Sequence, residues 1–412
     1  MRRTIKLNRM EFQNIYFLGI GGIGMSALAR YFLHEGKRVA GYDRTPSHLT
    51  DELAAEGAEI HFEDDVRRIP AEFLDPAATM VVYTPAVPQD HGEYQYFVSH
   101  GFCVEKRSQM LGHLAEGKYV MAVAGTHGKT TTSTLVAWLN RGVTGGGSAF
   151  LGGISKNFGG NLVLGAGARL AVEADEFDRS FLRLYPDVAV VTSADADHLD
   201  IYGTAEAYRE SFEKFTSLIR PDGCLLIKKG INVTPRLQEG VKKYTYSVTE
   251  IADFYAENIR ICDGNITFDF VGPEIRIPDV ELGVPVKVNI ENGVAAMAIA
   301  WLNGVKPEDL KKGMATFAGP RRRFDFHLKT DQVVLIDDYA HHPAELRQSI
   351  LSVKELYAGR KVTGIFQPHL YTRTRDFAGD FAASLSLLDE LILLDIYPVS
   401  YTHLRAHETR SN

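Results

Sequence analysis

Three cysteines in 412 residues, Cys103, Cys224 and Cys262, are too few and too scattered for a disulfide framework or a Cys-based metal site, and are read as reduced structural residues. No apolar run exceeds strand length, which excludes a membrane-spanning helix. The basic start Met1-Arg2-Arg3-Thr4-Ile5-Lys6 lacks the apolar stretch of a secretion signal, so a cytoplasmic protein is expected. Repeats and low-complexity segments are missing as well. Positive charge is in short supply: 45 Lys and Arg against 52 Asp and Glu leave a formal net charge of −7, which argues against a nucleic-acid partner. The local cluster Arg321-Arg322-Arg323 suits either an anionic small substrate or a solvated surface run. With 45% hydrophobic and 24% charged residues the composition is that of a globular protein, and the length suggests two or three domains.

What the chain does have is two glycine loops, each between a strand and a helix. The run Gly125-Thr126-His127-Gly128-Lys129-Thr130-Thr131 follows the apolar strand Tyr119 to Ala124 and opens a helix near Thr131. Glycines let backbone N–H groups close around phosphate oxygens, Lys129 reaches the β/γ-phosphates, and the Thr130 hydroxyl can ligate Mg²⁺. The strict pattern is broken once, because Val123 stands where its first glycine belongs. Upstream, Ile15 to Leu18 runs into Gly19-Ile20-Gly21-Gly22-Ile23-Gly24-Met25 and the helix Met25 to Leu33, and a second strand, Arg38 to Tyr42, ends in Asp43. Asp43 falls where a Rossmann fold holds a ribose hydroxyl. The motif's physics asks only for a diphosphate at a helix N-terminus and a sugar hydroxyl at a strand end, so a dinucleotide and a UDP-sugar both satisfy it.

Strands and helices alternate from Ile15 onward in the βαβ rhythm of a parallel α/β sheet. Thr84-Pro85 ends a strand from Met80 and turns at the sheet's carboxyl edge. A first domain ending near Gly117 fits this pattern. The second carries strands at Leu170–Glu173, Val188–Thr192 and Cys224–Ile227, an antiparallel excursion between roughly Tyr244 and Val288, and a helix Gly293 to Leu302. A third unit starts near Gly319-Pro320, with strands at Val333–Ile336, Lys361–Phe366 and Leu391–Leu394. From Val399 the chain is polar, holds two histidines, His403 and His407, and shows no period.

Glu173-Ala174-Asp175-Glu176-Phe177-Asp178 gathers four carboxylates after a strand, hard oxygen ligands where a Mg²⁺·ATP site needs them, with Glu173 the best candidate. Downstream, His198 is suited to bind or orient a second cation, with Asp197 holding its tautomer. Asn289 and Asn292 flank a helix start and serve either a purine edge or as N-caps. Asp337-Asp338-Tyr339-Ala340-His341-His342-Pro343 and Gln367-Pro368-His369-Leu370-Tyr371-Thr372-Arg373 follow successive strands, at the sheet edge where α/β folds bind ligands.

Taken in order, the two glycine loops, Glu173-Ala-Asp-Glu, Asp197-His198, Asn289/Asn292, Arg322-Arg323-Phe324, Asp338 to Pro343 and Gln367-Pro368-His369 resemble the Mur ligases over about residues 12 to 398, and among them the members that add alanine to a UDP-sugar acid. The resemblance implies three domains: a Rossmann-like UDP-sugar domain (1–117), a central P-loop ATPase (118–319) and an incomplete Rossmann-like C-terminal domain (320–412) that closes on ATP and the amino acid. It implies ATP and Mg²⁺ as cofactors, UDP-N-acetylmuramate and L-alanine as substrates, an amide-forming reaction through an acyl phosphate in peptidoglycan precursor synthesis, and a monomer or weak homodimer. By the same resemblance Lys129, His198, His341 and Arg373 are catalytic, and Thr130, Glu173 and His198 hold metal. Gly125, Thr126, His127, Gly128, Lys129, Thr130, Thr131, Asn289, Asn292, Arg323 and Asp338 meet ATP. Gly19, Gly21, Gly22, Gly24, Met25, Asp43, Thr84 and Tyr339 meet the UDP-sugar.

Three departures stand out. Sister ligases carry a modified lysine where this chain has Phe212, with Lys214 two residues on. Many alanine-adding relatives have arginine at the position of Leu370. The tail from Val399 lacks the family's closing elements, as a truncated or frame-shifted end would. Rival readings are a ligase that recycles a preformed peptide, a nicotinamide-dependent dehydrogenase built on the first loop, and an inactive binding protein.

Overall fold

A computed structural model describes residues 12–143, 145–262, 264–369 and 371–396. The Leu370 departure and the tail from Val399 lie outside the described residues.

The N-terminal sheet has five parallel strands in the order Glu59–His61, Arg38–Tyr42, Asn14–Leu18, Thr79–Tyr83 and Cys103–Lys106. Asn14–Leu18 is buried at every position, as a central parallel strand must be. The helix Ile23–His34 buries Met25, Leu28, Ala29 and Phe32, a stripe at helical spacing. Strand order reverses beside Asn14–Leu18, so the loop from Gly19 sits at the switch point where open α/β sheets bind ligands.

The central sheet has ten strands. Tyr119–Ala124 lies in its parallel middle, between Arg169–Glu173 and Val188–Val191. The expected excursion is present as Phe254–Cys262, Asn265–Gly272 and Ile275–Glu281, paired antiparallel. At the opposite edge lie two strands that periodicity did not mark, Gly147–Ser155 and Gly160–Val163. The helix after the phosphate loop spans Lys129–Asn140, and the helix expected from Gly293 already begins at Val288 and runs to Leu302. Val294 to Ala300 is buried without interruption because that helix is enclosed on all sides.

Asn161, fully buried, ties the first two units together. Its Nδ2 donates to the carbonyl of Ile23 at 2.6 Å and to Ser26 Oγ at 2.9 Å, and its Oδ1 accepts from Arg30 at 2.7 Å. The third unit joins the second through Arg321 N–H to Ile154 O (2.7 Å), Lys156 N–H to Gly319 O (3.0 Å) and a Lys156–Asp325 ion pair at 2.6 Å. Its strands form two separate pairs among the described residues: Asp325–Lys329 antiparallel to Val334–Asp337, and Thr363–Phe366 parallel to Glu390–Leu393. Leu335, Ile365 and Leu393 on these strands are exposed. No helix of the described residues is long and apolar enough to cross a membrane.

Candidate active site

The phosphate loop is shaped by two glycines in the left-handed half of backbone space. Gly125 has φ +142, and a side chain there would sit 2.0 Å from Thr192 Oγ1; Gly128, φ +79, leaves room for Asn292 Oδ1. Thr192 Oγ1 donates to His127 O at 2.5 Å and His127 N–H to Ser193 Oγ at 2.8 Å, while Thr126 Oγ1 meets Asp195 O at 2.7 Å and Tyr208 Oη at 2.9 Å. The loop is therefore held from the end of the neighbouring strand Val188–Val191. Thr131 follows on the helix's first turn.

Lys129 Nζ donates to Gly125 O at 2.6 Å and lies 2.8 Å from the Glu176 carboxylate. Glu173, at the end of the adjoining strand, is buried, and one of its oxygens has no hydrogen-bond partner among the described residues; Thr130 hydrogen-bonds the carboxylate. Burial opposes charge on Lys129, but Glu176, Glu173 and Asp175 outweigh it and raise its pKa. Burial likewise raises Glu173, against the pull of Lys129, and lifts Glu176 to about 7. Arg107 pairs with Asp175, and Lys129 is the cation beside both Glu176 and Glu173. A buried carboxylate oxygen without a donor, beside a threonine hydroxyl, is a donor set that suits a hard divalent cation. Among the described residues no three His, Cys, Asp or Glu side chains form a ready-made cage, so such a cation would draw its other ligands from phosphate and water.

His198 caps the short helix Leu199–Tyr202 with a left-handed backbone, φ 52. Its Nε2 lies 3.7 Å from Asp197 and its ring packs edge-on against Phe177. Tyr202 of the same helix donates to Glu176 O at 2.6 Å. Phe212 is wholly buried between Phe181 and Tyr208, and Lys214 is exposed, so neither takes the place of the modified lysine. Asn289 and Asn292 are both buried near the start of the helix Val288–Leu302, and neither is its N-cap, which is Lys287. Asn292 donates to Asn289 at 2.9 Å and accepts from Thr132 at 3.1 Å, which aims it at the phosphate-loop helix.

A second cluster belongs to the third unit. Arg322 and Arg323 lie over the ring of Tyr339, which also packs near His341 and His369. Asp338 is held by Phe324 N–H and the Ser349 hydroxyl, and burial raises its pKa. His341 is pushed down by burial, and its Nδ1 lies 2.9 Å from Tyr339 O. Arg373, on the helix Tyr371–Asp376, is close enough to lower His341 further. Glu345, which sequence reasoning did not single out, joins the clusters: its Oε1 lies 3.2 Å from His127 Nδ1 and its Oε2 3.3 Å from His341 N.

In the first unit, Gly21 N–H donates to Asp43 Oδ2 at 2.7 Å, and Gly19, φ +85, packs against Thr84. Gly22 caps the following helix, on which Met25 is buried. A cavity of about 240 Å³ runs from Gly22, Gly24 and Thr84 to Glu173. Of the residues expected to meet the UDP-sugar, Tyr339 alone lies in the third unit.

A phosphate loop whose lysine meets buried carboxylates, and a cavity that runs from Glu173 to a second glycine loop, are the layout of an ATP-dependent ligase. Three family models match in series: the Mur ligase family catalytic domain over residues 14–119, the Mur ligase middle domain over 123–300 and the Mur ligase glutamate ligase domain over 322–408. The chain belongs to the Mur ligase family. It is 79% identical over 385 residues to the UDP-N-acetylmuramate–L-alanine ligase of Parabacteroides distasonis, covering 93% of this chain and 83% of the relative. The enzyme of that name from Phocaeicola vulgatus is 60% identical, over 94% and 84% of the two chains. Among solved structures, the UDP-N-acetylmuramate-alanine ligase MurC from Thermotoga maritima superposes with a TM-score of 0.81 at 28% identity, over 93% of this chain and 85% of that one.

Proposed function

We propose that this protein joins L-alanine to the lactyl carboxylate of UDP-N-acetylmuramate at the expense of ATP, in the cytoplasm, as a step of peptidoglycan precursor synthesis. The observation that carries the reading is the single cleft that runs from the first glycine loop to Glu173, beside Lys129. A UDP-sugar anchored at Gly19–Gly24 extends its acid toward that end. The sequence identity to the alanine-adding relatives supports the same substrate pair. We assign residues 1–117, 118–319 and 320–412 to the UDP-sugar, ATP and amino-acid units.

In the proposed reaction a carboxylate oxygen of the muramyl group attacks the γ-phosphorus in line, the bond to ADP breaks, and an acyl phosphate forms. Lys129 neutralises charge on the transferring group, and the amides of the phosphate loop orient it. Thr130 and Glu173 would hold Mg²⁺, with His198 the candidate for a second ion; when bound, the metal supplies charge neutralisation of the phosphates. Arg323, Asp338, Asn289 and Asn292 complete the ATP site. The alanine amine then attacks the acyl carbonyl, and the tetrahedral intermediate releases phosphate. His341 fits as acceptor of the amine's proton: burial keeps the ring neutral, and donation from Nδ1 to Tyr339 O leaves Nε2 as a base. Arg373 would pair with the amino acid's carboxylate, and closure of the third unit would exclude water.

Phosphate release from ATP, measured with UDP-N-acetylmuramate and scanned across alanine, serine, glycine and a tripeptide, tests the reading. Alanine should support release far better than the tripeptide. The reverse order would make this a ligase that attaches a preformed peptide.

A further inference from the structure

Arg107 opens the helix Arg107–Ala115 and projects into the cleft between the first two units. Its guanidinium lies against the first glycine loop: a carbon added to Gly24 would stand 2.9 Å from Nη1 and 3.3 Å from Cζ. A side chain at position 24 would therefore push the guanidinium out of this place. From the same place Nη2 reaches Asp175 Oδ2 at 3.2 Å, across to the carboxylate run that follows the Glu173 strand. Lys106, one residue earlier, pairs with Asp178 at 2.6 Å, so two consecutive cations of the first unit hold two carboxylates of the second. At the second of these carboxylates the backbone is strained, with Asp178 and Arg179 both left-handed at φ 52 and 54.

The Arg107–Asp175 contact is made through one nitrogen, and Asp175 is about a third exposed. A single-contact ion pair of that kind is weak. A diphosphate settled on the loop amides offers two charges and the parallel oxygens a guanidinium fork binds in bidentate fashion. The exchange of one acid for the other thus runs toward the diphosphate.

We propose that Arg107 is a binding residue for the diphosphate of the UDP-sugar, held ready in the free protein by Asp175, which the substrate displaces. The proposal rests on the UDP-sugar reading of the first glycine loop given above. It assigns Asp175 a part distinct from that of Glu173: a placeholder for the substrate's charge.

Calorimetric titration of the whole chain with UDP and with UDP-N-acetylmuramate tests this, using wild type, Arg107→Lys, Arg107→Ala and Asp175→Asn. The Asp175→Asn variant keeps the side-chain oxygen that accepts from Phe177 N–H, and Arg107→Lys keeps the charge, so these two guard against a merely misfolded protein. Arg107→Ala should weaken UDP at least tenfold and flatten the salt dependence of its binding, with Arg107→Lys recovering part of the loss. Asp175→Asn should tighten UDP several-fold, because its competitor is gone. Equal UDP affinity in wild type and Arg107→Ala, or no gain in Asp175→Asn, overturns the proposal while leaving the function intact. A wild type that binds neither ligand removes the function reading itself, and this inference with it.

Discussion

The ammonium of Lys129 and the carboxylate of Glu176 lie 2.8 Å apart in a buried pocket, and the same ammonium donates to Gly125 O at 2.6 Å. The lysine expected to hold a γ-phosphate thus rests on its own loop and on an acid of the neighbouring strand end. Replacing Lys129 by Ala should lower turnover by two or more orders of magnitude, while UDP-sugar affinity stays within about twofold. Single-turnover kinetics beside a direct binding titration separates the two.

Gly152 gives a test at the Glu173 end of the cleft. A carbon added there would fall 2.1 to 2.5 Å from the Glu173 carboxylate, too close for both to keep their places. Gly152→Ala should raise the Mg²⁺ concentration needed for half-maximal activity about tenfold or more, with little loss of UDP-sugar binding. A variant with an unchanged Mg²⁺ requirement would remove Glu173 from the metal site.

Glu345 links the phosphate loop to the third unit through His127 and His341. Burial works against its charge, but the hydrogen bond from His127 together with His341 and Arg323 pulls its pKa well below the usual carboxylate range. Charge-assisted contacts of this kind contribute roughly 1.5–3 kcal/mol, so Glu345→Gln should reduce kcat about tenfold or more through poorer closure. KM for the UDP-sugar, which we propose binds in the first unit, should not move.

The first unit carries a pH-dependent element of its own. Glu93 is buried, accepts from Tyr16 Oη at 2.7 Å and lies 3.4 Å from His61 Nε2; burial pushes its pKa up to about 7. A raised carboxylate contributes stability that is complete below its unfolded pKa, about 4.3, and is lost as pH rises through about 7. His61 and His91, both lowered by burial, act in the opposite sense below about 6.5. The difference in unfolding free energy between wild type and Glu93→Gln cancels most of the histidine effect. It should fall across that window with a slope approaching 1.4 kcal/mol per pH unit. A flat difference would show that Glu93 ionises as an ordinary carboxylate.

Both glycine loops, the strands that feed them and the acids after Arg169–Glu173 were legible because each is a local pattern with a local cause. The strand Gly147–Ser155, one in from the sheet's edge, was not, since its glycines dilute the β signal, one of them to make room for Glu173. Asn289 reads as a cap because asparagine favours helix ends, yet the helix begins at Val288 with Lys287 as its N-cap, and Asn289 in the first turn donates to Val284 O instead. Arg107 and Glu345 escaped notice for a different reason. Their partners lie 68 and 218 residues away, and nothing in a neighbouring residue announces such a pairing.

Oxygen tracking tests the central claim most directly. UDP-N-acetylmuramate labelled with ¹⁸O in the lactyl carboxylate, turned over with ATP and L-alanine, should deliver one labelled oxygen to each inorganic phosphate released. Unlabelled phosphate would mean that the carboxylate never attacked the γ-phosphorus held by Lys129, and would contradict the account.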